Sequence, residues 1–288
     1  MTNERLEVRK TYKLYIGGAF PRSESGRSYP ALDASGKVMA RPARASRKDL
    51  RDAVRAARAA WKDWSEATAY NRGQVLYRVA ELMEGRRDQF VGELEATGAS
   101  SQRAGREVTA AIDRWVWYAG WCDKIHHVMG TVNPVAGPYF DFTFPESTGV
   151  VGVVAPEEPA LLGLVSRLAP VIVSGNTSVV LASERWPLPA VSLCEVLATS
   201  DVPGGVVNLL TGYVKELVPW LASHMDVNAI DLTGVPDDLV PQVEAAAAGN
   251  VKRTVRDGSA DWFGDSAQSP YAIIDFMEMK TVWHPMGA

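Results

Sequence analysis

The two cysteines of this 288-residue chain, Cys122 and Cys194, are its candidates for a covalent nucleophile. A cysteine reacts as the thiolate, which needs an exposed and electropositive pocket. Cys122 instead shares a helical stripe with Trp115, and Cys194 shares another with Leu197. A free cysteine on an apolar helical face is typically a small buried hydrophobic residue. We therefore predict that neither thiol is catalytic and that they form no disulfide.

The four histidines lack the spacing of a metal site. His126 and His127 are adjacent, so on a helix they point in different directions and cannot hold one ion together. His224 and His284 have no cysteine or carboxylate at ligand spacing around them. We therefore predict that the chain binds no metal.

Short apolar runs alternate with helical patterns between residues 149 and 234. This alternation is typical of a parallel sheet with crossover helices, and it predicts an α/β fold with a Rossmann-like sheet. Ligands bind such sheets at the carboxyl ends of the strands, where glycine and proline punctuate the turns. A nucleotide site is therefore the first feature to look for at that edge.

Several motifs in this region resemble the cofactor-binding half of the aldehyde dehydrogenase superfamily. They are Gly149-Val150-Val151-Gly152, Leu168-Ala169-Pro170, Ser174-Gly175-Asn176-Thr177, Pro203-Gly204-Gly205-Val206-Val207-Asn208 and Thr233-Gly234. The resemblance runs from residue 12 to about 257 and is greatest to the degenerate second module of family sixteen, a two-module chain. It implies N-terminal helices, an NAD-binding domain and a β-flap for oligomerisation.

The catalytic positions depart from the pattern that this resemblance implies. Where the family has an asparagine that donates to the developing oxyanion, an ungapped alignment from Gly152 to Pro170 places Glu158. An ionised carboxylate only accepts hydrogen bonds, so it would repel a nascent alkoxide. The family's general-base glutamate falls at Asp257, which is a shorter acid. The catalytic site is therefore expected to be degenerate.

The cofactor positions implied by the resemblance are also degenerate. The family lysine that binds the adenosine ribose falls at Leu181, whereas Glu184, which the family uses on the same ribose, is kept. A phosphate-proximal serine falls at Val235, and a glycine that lets the backbone approach phosphate falls at Leu239. We expect no cofactor, or NAD bound through Glu184 and Gly234 if the site still functions.

Two acids follow Pro236 close to the expected phosphate position. Asp237 and Asp238 are predicted to cap the start of a helix, where carboxylates suit the positive end of the dipole. Their charge, like that of Glu157 and Glu158, would discourage a pyrophosphate.

The C-terminal part resembles the flap of the family. Only 31 residues (288 − 257) follow Asp257, so the chain is expected to lack the family's catalytic domain. The run 271–277 is strand-like, and residues 140–144 alternate as in a half-buried strand. We assign residues 1–136 and 149–260 to a Rossmann-like domain and residues 137–148 and 270–284 to the flap.

The flap is the expected interaction surface. An open strand edge invites pairing with another chain. The resemblance then favours a homo-oligomer, or a complex with an active aldehyde dehydrogenase, through residues 137–146 and 271–283.

The composition limits the functional classes. A net charge of −4 argues against a nucleic-acid partner. Charges interrupt the apolar runs before they reach spanning length, so no membrane segment is predicted, and two reduced thiols suit a cytoplasmic protein. The leading hypothesis is a non-catalytic structural module, a pseudoenzyme. The alternatives are an NAD(P)-dependent aldehyde oxidoreductase and a non-catalytic NAD-binding sensor.

Overall fold

A computed structural model describes residues 10–256 and 261–287 of the chain. Its first elements are β1 (Ala31–Leu32), β2 (Val38–Ala40), α1 (Arg47–Glu66), α2 (Ala69–Glu84), α3 (Arg87–Glu95), α4 (Ser101–Ala119) and α5 (Ile125–Met129). There follow β3 (Thr131–Asn133), β4 (Tyr139–Ser147), β5 (Val150–Val154), α6 (Leu162–Val173), β6 (Thr177–Leu181), α7 (Leu188–Leu197) and β7 (Val207–Leu210). The last are α8 (Val214–Ser223), β8 (Ala229–Asp231), α9 (Val240–Ala248), β9 (Arg253–Val255), α10 (Tyr271–Ile274) and β10 (Met277–Pro285).

The central sheet is parallel, with the strand order β7-β6-β5-β8-β9. Helices α6, α7, α8 and α9 connect its successive strands along the chain. Every residue of β5, β6, β7 and β8 is buried, because parallel sheets of this kind are covered by helices on both faces. The predicted α/β fold with a Rossmann-like parallel sheet is confirmed.

Each face of β5 belongs to its own apolar layer, since successive side chains of a strand point to opposite faces. Val151 and Val153 belong to the layer that contains α2, α4, α6 and α7. Val150 and Val154 belong to the layer that contains α1, α8 and α9. Packing of both helical layers thus holds the carboxyl end of β5 in place, and with it the start of the turn that follows.

A second sheet forms the flap, with the antiparallel order β10-β4-β3. Strand β10 pairs with β4 along its whole length, from Met277 opposite Ser147 to Pro285 opposite Tyr139. Strand β3, which lies before the predicted flap range 137–148, pairs with the other edge of β4. Two residues separate β4 from β5, so the flap leads directly into the central sheet.

The strand predicted over residues 271–277 is wrong for most of its length. Tyr271–Ile274 form α10, and strand pairing begins only at Met277. Ile273 and Phe276, three residues apart, are both buried, and α10 lies against α6. A short apolar run fits a helix as well as a strand, and here the spacing of the buried pair is helical.

A buried ion pair links the α6 layer to the central sheet. Arg167 on α6 donates from Nε to Oδ2 of Asp231 on β8 at 2.5 Å, and their side chains are 2% and 0% exposed. Asp231 Oδ1 also accepts the backbone N–H of Thr233, and the Arg167 guanidinium lies 6.0 Å from the ring centre of Phe276. The pair thereby connects α6, β8 and the segment that leads into β10.

We expect Asp231→Ala to lower the free energy of unfolding by about 3–5 kcal/mol, because it buries a guanidinium whose carboxylate is gone. The double variant Arg167→Met with Asp231→Leu should lose clearly less, since it removes both charges at similar volume. Urea unfolding of the two proteins measures the difference. A single variant that costs less than the double would contradict this account.

Candidate functional site

The turns that follow β5, β6 and β8 meet at one edge of the central sheet. Because β5 pairs in parallel with both β6 and β8, the carboxyl ends of the three strands lie side by side. The turns carry Glu157 and Glu158, then Glu184, then Gly234. This is the edge at which open parallel sheets bind ligands. Most of the positions predicted from sequence are therefore brought to one place.

The carboxylate of Glu157 connects the first two of these turns. It accepts hydrogen bonds from the Ser183 hydroxyl at 2.5 Å and from the backbone N–H groups of Glu184 and Arg185, both at 3.0 Å. These amides are the donors that the turn after β6 would otherwise offer to a ligand. Sequence reasoning missed this role, because it treated Glu157 only as a repulsive charge. The sequence signal for this role was Ser183 in a short turn before a helix, because a serine hydroxyl and free turn amides are good donors to a carboxylate.

Glu184, the acid predicted to bind a ribose, forms a hydrogen bond within the protein. Its Oε2 accepts the backbone N–H of Val214 at 3.1 Å, and Val214 is the first residue of α8. Tyr213 at the N-cap position makes no side-chain cap, so Glu184 supplies an acceptor from outside the helix. An acid at this end is also favoured by the helix dipole.

Glu158, which the sequence comparison predicted at the oxyanion-donor position, faces solvent. Its side chain is 56% exposed and lies 3.8 Å from Arg185 and 3.9 Å from Arg103. Ion pairs this long and exposed contribute little to stability. A solvated carboxylate here is an acceptor and a negative charge, so it offers no stabilisation to a developing oxyanion.

Gly234 has a packing reason to be glycine. Its N–H donates to the carbonyl of Val154 at 3.0 Å, which holds the turn after β8 against the end of β5. A Cβ atom at this position would lie 2.2 Å from the carbonyl oxygen of Ala155, which is backbone and cannot move aside. The glycine is thus explained by the contact of two strands, with or without a ligand.

The apolar residues at the other predicted cofactor positions belong to the core or lie at its rim. Leu181 and Val235 are 1% and 4% exposed, and both belong to the layer of α1, α8 and α9. Leu239 is half-buried at the rim of the same layer. None of these three side chains has a donor for a ribose hydroxyl or a phosphate.

The predicted helix cap by Asp237 and Asp238 is wrong. Helix α9 begins after Leu239 without any side-chain cap, and Asp237 instead pairs with Arg256. The N-cap position falls on Leu239, which has no side-chain acceptor, and not on either acid. Asp257, the candidate for the general base, lies outside the described residues.

An open cleft of about 480 Å³ lies beside the two engaged acids and is lined in part by Glu157, Glu184, Tyr29 and Tyr213. Burial, followed by the nearby carboxylates of Glu184 and Glu157, raises the pKa of the Tyr29 phenol well above its usual range. The Gly212 amide opposes this rise, but it does not reach hydrogen-bonding geometry with the hydroxyl. The cleft is therefore aromatic and acidic on balance, since Asp33, Glu157 and Glu184 outnumber Arg185, and an excess of carboxylates disfavours a phosphate.

Both cysteines are buried, as predicted. Cys122 is 4% exposed and Cys194 is 1% exposed. Burial raises the pKa of the Cys122 thiol to about 12 and raises that of Cys194 well above its usual value. At neutral pH both sulfurs therefore remain protonated, and neither is a nucleophile in this structure.

We expect neither thiol to react with iodoacetamide in the folded protein at pH 8, because a raised pKa leaves almost no thiolate below that pKa and burial blocks access. Both should react once the chain is unfolded in guanidinium. Mass spectrometry of the alkylated protein measures the two states. Rapid single labelling of the native chain would show that one cysteine is exposed and activated.

Neither a metal site nor a membrane span occurs within residues 10–256 and 261–287. No group of three or more histidine, cysteine, aspartate or glutamate side chains there could hold a metal ion. No helix in that part of the chain has the length and apolar character needed to cross a membrane.

The five-stranded parallel sheet with its connecting helices defines a Rossmann-like α/β protein. Within that class, the chain belongs to the aldehyde dehydrogenase family, whose family model matches residues 22–260. It is 32% identical over 257 residues to omega-crystallin of Enteroctopus dofleini, covering 87% of this chain and 51% of the relative. It is 34% identical over 256 residues to human retinal dehydrogenase 2, covering 86% of this chain and 48% of the relative.

Solved structures give the same assignment. HpcC from Thermus thermophilus matches with a TM-score of 0.82 and 29% identity, covering 86% of this chain and 48% of that one. PnpE in complex with nicotinamide adenine dinucleotide matches with a TM-score of 0.80 and 27% identity, covering 86% and 50%. The chain thus spans about half the length of the relatives that it matches.

Proposed function

We propose that this chain is a non-catalytic member of the aldehyde dehydrogenase family with a structural role in assembly. It would pair through the flap with a second copy or with an active aldehyde dehydrogenase. The resemblance to the degenerate second module of family sixteen supports such a role, and a cytoplasmic location is part of the same proposal. The observation that carries it is the carboxylate of Glu157, which takes up the donors of the turn after β6.

A dinucleotide needs hydrogen-bond donors for its phosphates and partners for its ribose hydroxyls. The amides of Glu184 and Arg185 already donate to Glu157, and the Glu184 carboxylate already accepts from Val214. A dinucleotide would have to break these internal hydrogen bonds. Its negatively charged phosphates would also approach the Glu157 carboxylate, and like charges repel strongly in a partly buried site. The residues present therefore do not fit NAD.

Aldehyde oxidation in this family also requires a covalent adduct with the substrate. Cys122 and Cys194 are buried and protonated, so neither can supply the thiolate that forms one. Glu158 adds a negative charge where charge would develop in the transition state. Each defect alone would slow the chemistry strongly, and together they support a role without turnover.

The flap is the surface that supports a role in assembly. Phe140, Phe142 and Phe144 stand in a row on β4, with ring centres 5.4 and 5.9 Å apart along the row. Phe140 is 43% exposed, and Trp283 on β10 is 59% exposed. Exposed aromatic residues on one small sheet are typical of interaction sites. The partner surface that we propose therefore comprises residues 137–146 and 271–283.

The second candidate function is NAD binding, either in an aldehyde oxidoreductase or in a sensor without turnover. Two observations favour it: Glu184 is retained beside an open cleft, and PnpE, which is similar in structure, was solved in complex with nicotinamide adenine dinucleotide. NAD binding would first require the Glu184 carboxylate to give up its hydrogen bond from the Val214 N–H at the start of α8.

A calorimetric titration of NAD into the purified chain separates the two functions. We expect no saturable heat and no rise in melting temperature at millimolar NAD, and no reduction of NAD with aliphatic or aromatic aldehydes. An active aldehyde dehydrogenase titrated in parallel is the positive control. Saturable binding near micromolar would overturn the non-catalytic proposal in favour of a sensor, and turnover would favour an oxidoreductase.

Restoring the degenerate positions tests whether they are what prevents NAD binding. We expect Glu158→Asn, Leu181→Lys and Val235→Ser, combined with Glu157→Ala to release the amides, to create measurable NAD affinity. The matched control carries Glu157→Ala alone, which frees the donors but adds no lysine or serine. Titration of both proteins gives the comparison. A folded quadruple variant without any affinity would mean that these positions do not correspond to a cofactor site.

A further inference from the structure

A second cleft, of about 670 Å³, opens where α1 begins and α8 ends. Its lining comes mainly from the first residues of α1, from the last turn of α8 and from the two residues after α8. The contact between Glu184 and Val214 lies at the other end of α8, and a helix of 10 residues is about 15 Å long. The cleft is therefore separate from the carboxyl-end edge of the central sheet, and its volume is typical of small-molecule sites.

Three cationic side chains line this cleft against one carboxylate. The cations are Arg47, Lys48 and Arg51, all exposed, and the carboxylate is that of Glu24. Lys48 lies 3.5 Å from Glu24, and Arg51 lies 3.1 Å from Asp52, which does not line the cleft. Exposed ion pairs of this kind contribute little, so an incoming anion displaces them at small cost. The excess of cations therefore favours an anionic ligand.

Arg47 is the cation that has no ionic partner. Within residues 10–256 and 261–287 it pairs with no carboxylate, and its guanidinium carbon instead lies 3.8 Å from the ring centre of Trp220. Contact with the ring restricts the guanidinium, whereas its N–H groups remain available to a ligand. A guanidinium binds a carboxylate through two parallel hydrogen bonds, which is the strongest form of this contact.

The start of α1 does not itself supply the donors for an anion. Ser46 Oγ already accepts from the backbone N–H groups of Lys48 and Asp49. The buried carboxylate of Asp49 accepts from the Ser23 hydroxyl and from the backbone N–H groups of Glu24 and Ser46. Recognition of an anion in this cleft therefore depends on the side chains that line it.

Apolar surface lies beside these cations. Trp220 is 42% exposed, Met225 is 69% exposed, and the buried Leu50 also contributes to the lining. Covering such surface with an apolar ring removes it from water, which is favourable, and an aromatic ring gains further from contact with tryptophan. The cleft thus combines positive charge with an apolar surface that a ligand can cover.

His224 adds a hydrogen-bond donor without adding charge. Burial is the largest cause that lowers the pKa of its imidazole, so the ring is neutral at pH 7. Its Nδ1 accepts the backbone N–H of Asp226 at 3.2 Å, which places the ring proton on Nε2. Because His224 lines the cleft, its Nε2–H is a donor for the same ligand.

The turn after α8 is held in place through its backbone carbonyls. The His224 carbonyl accepts from Lys252 Nζ at 3.0 Å. The Met225 carbonyl accepts from Asn250 Nδ2 at 3.1 Å, and the carbonyl that follows accepts from Arg58 Nη2 at 2.6 Å. Three successive carbonyls are fixed by three different side chains, so this wall of the cleft is formed before a ligand binds. A preformed wall lowers the entropy cost of binding.

We propose that this cleft binds a small organic anion that joins an acidic group to an aromatic ring. Arg47 binds the acidic group, and Lys48 and Arg51 add positive charge around it. Trp220 and Met225 cover the ring. This site goes beyond the proposed structural role and does not depend on it.

Calorimetric titration with 2-naphthylacetate tests the class of ligand. We expect saturable binding to the whole chain with a dissociation constant at or below about 1 mM. The neutral amide, 2-naphthylacetamide, has nearly the same shape and should bind about tenfold more weakly, because it lacks the charge that Arg47 recognises. Equal affinities for the acid and the amide, or no saturable binding of the acid, would overturn the proposal.

Arginine substitution locates the site. We expect Arg47→Ala to weaken binding of 2-naphthylacetate by about tenfold. Arg106→Ala is the matched control, because Arg106 is also exposed and its guanidinium carbon lies 5.2 Å from the ring centre of Phe263, outside the cleft. This control should bind as the unsubstituted chain does. An unchanged affinity of Arg47→Ala, or an equal loss in both variants, would place the anion elsewhere and refute the site.

Opposite charges at Met225 test the sign of the recognition. We expect Met225→Glu to weaken binding of 2-naphthylacetate and Met225→Lys to strengthen it, because both side chains stand at the same exposed position of the lining. The Met225 carbonyl that Asn250 binds is unchanged in both variants. Identical affinities, or the reverse order, would contradict the proposal. These titrations use neither NAD nor a partner, so their failure leaves the proposed function untouched.

Discussion

The burial of β5 from every side is the constraint on which the other features depend. Its edges are occupied by β6 and β8, and its faces are covered by two separate helical layers. The chain that enters it is the flap strand β4, and the chain that leaves it carries Glu157 and Glu158. A strand held in this way cannot slip by one residue without exchanging its two faces. The flap and the carboxyl-end edge of the central sheet are therefore fixed to the same rigid strand, β5.

At the carboxyl-end edge of the central sheet, several polar groups bond to one another within the chain. Glu157 accepts from the turn after β6, Glu184 accepts from the start of α8, and Gly234 donates to the end of β5. In a related scaffold that binds a cofactor, such groups must remain open to the ligand. Here the Glu157 carboxylate accepts the turn amides that could otherwise donate to a bound anion or hydroxyl. The edge thus keeps the shape of a binding site, while its hydrogen-bonding capacity is used within the chain.

The sequence predicted the sheet better than the site. Periodicity indicates which face of an element is buried, so the parallel strands, the flap strand β4 and the burial of Cys122 all followed from it. The partner of a carboxylate is not encoded in periodicity, because backbone amides look alike in every sequence. This is why Glu157 was missed and why Asp237 was wrongly given to a helix start. The run at Tyr271–Ile274 failed for another reason: four apolar residues are too few to distinguish a helix from a strand.

The buried pair of Arg167 and Asp231 has a consequence for how this protein can change over generations. Substitution of either residue alone leaves a charge in an apolar interior, whereas simultaneous replacement of both by apolar residues is tolerated far better. A single substitution in the pair therefore gives a poorly folded protein, whereas the double apolar variant folds stably. Because the double variant can be reached only through a destabilised single variant, the pair can persist in a lineage even where no ligand or reaction selects for it.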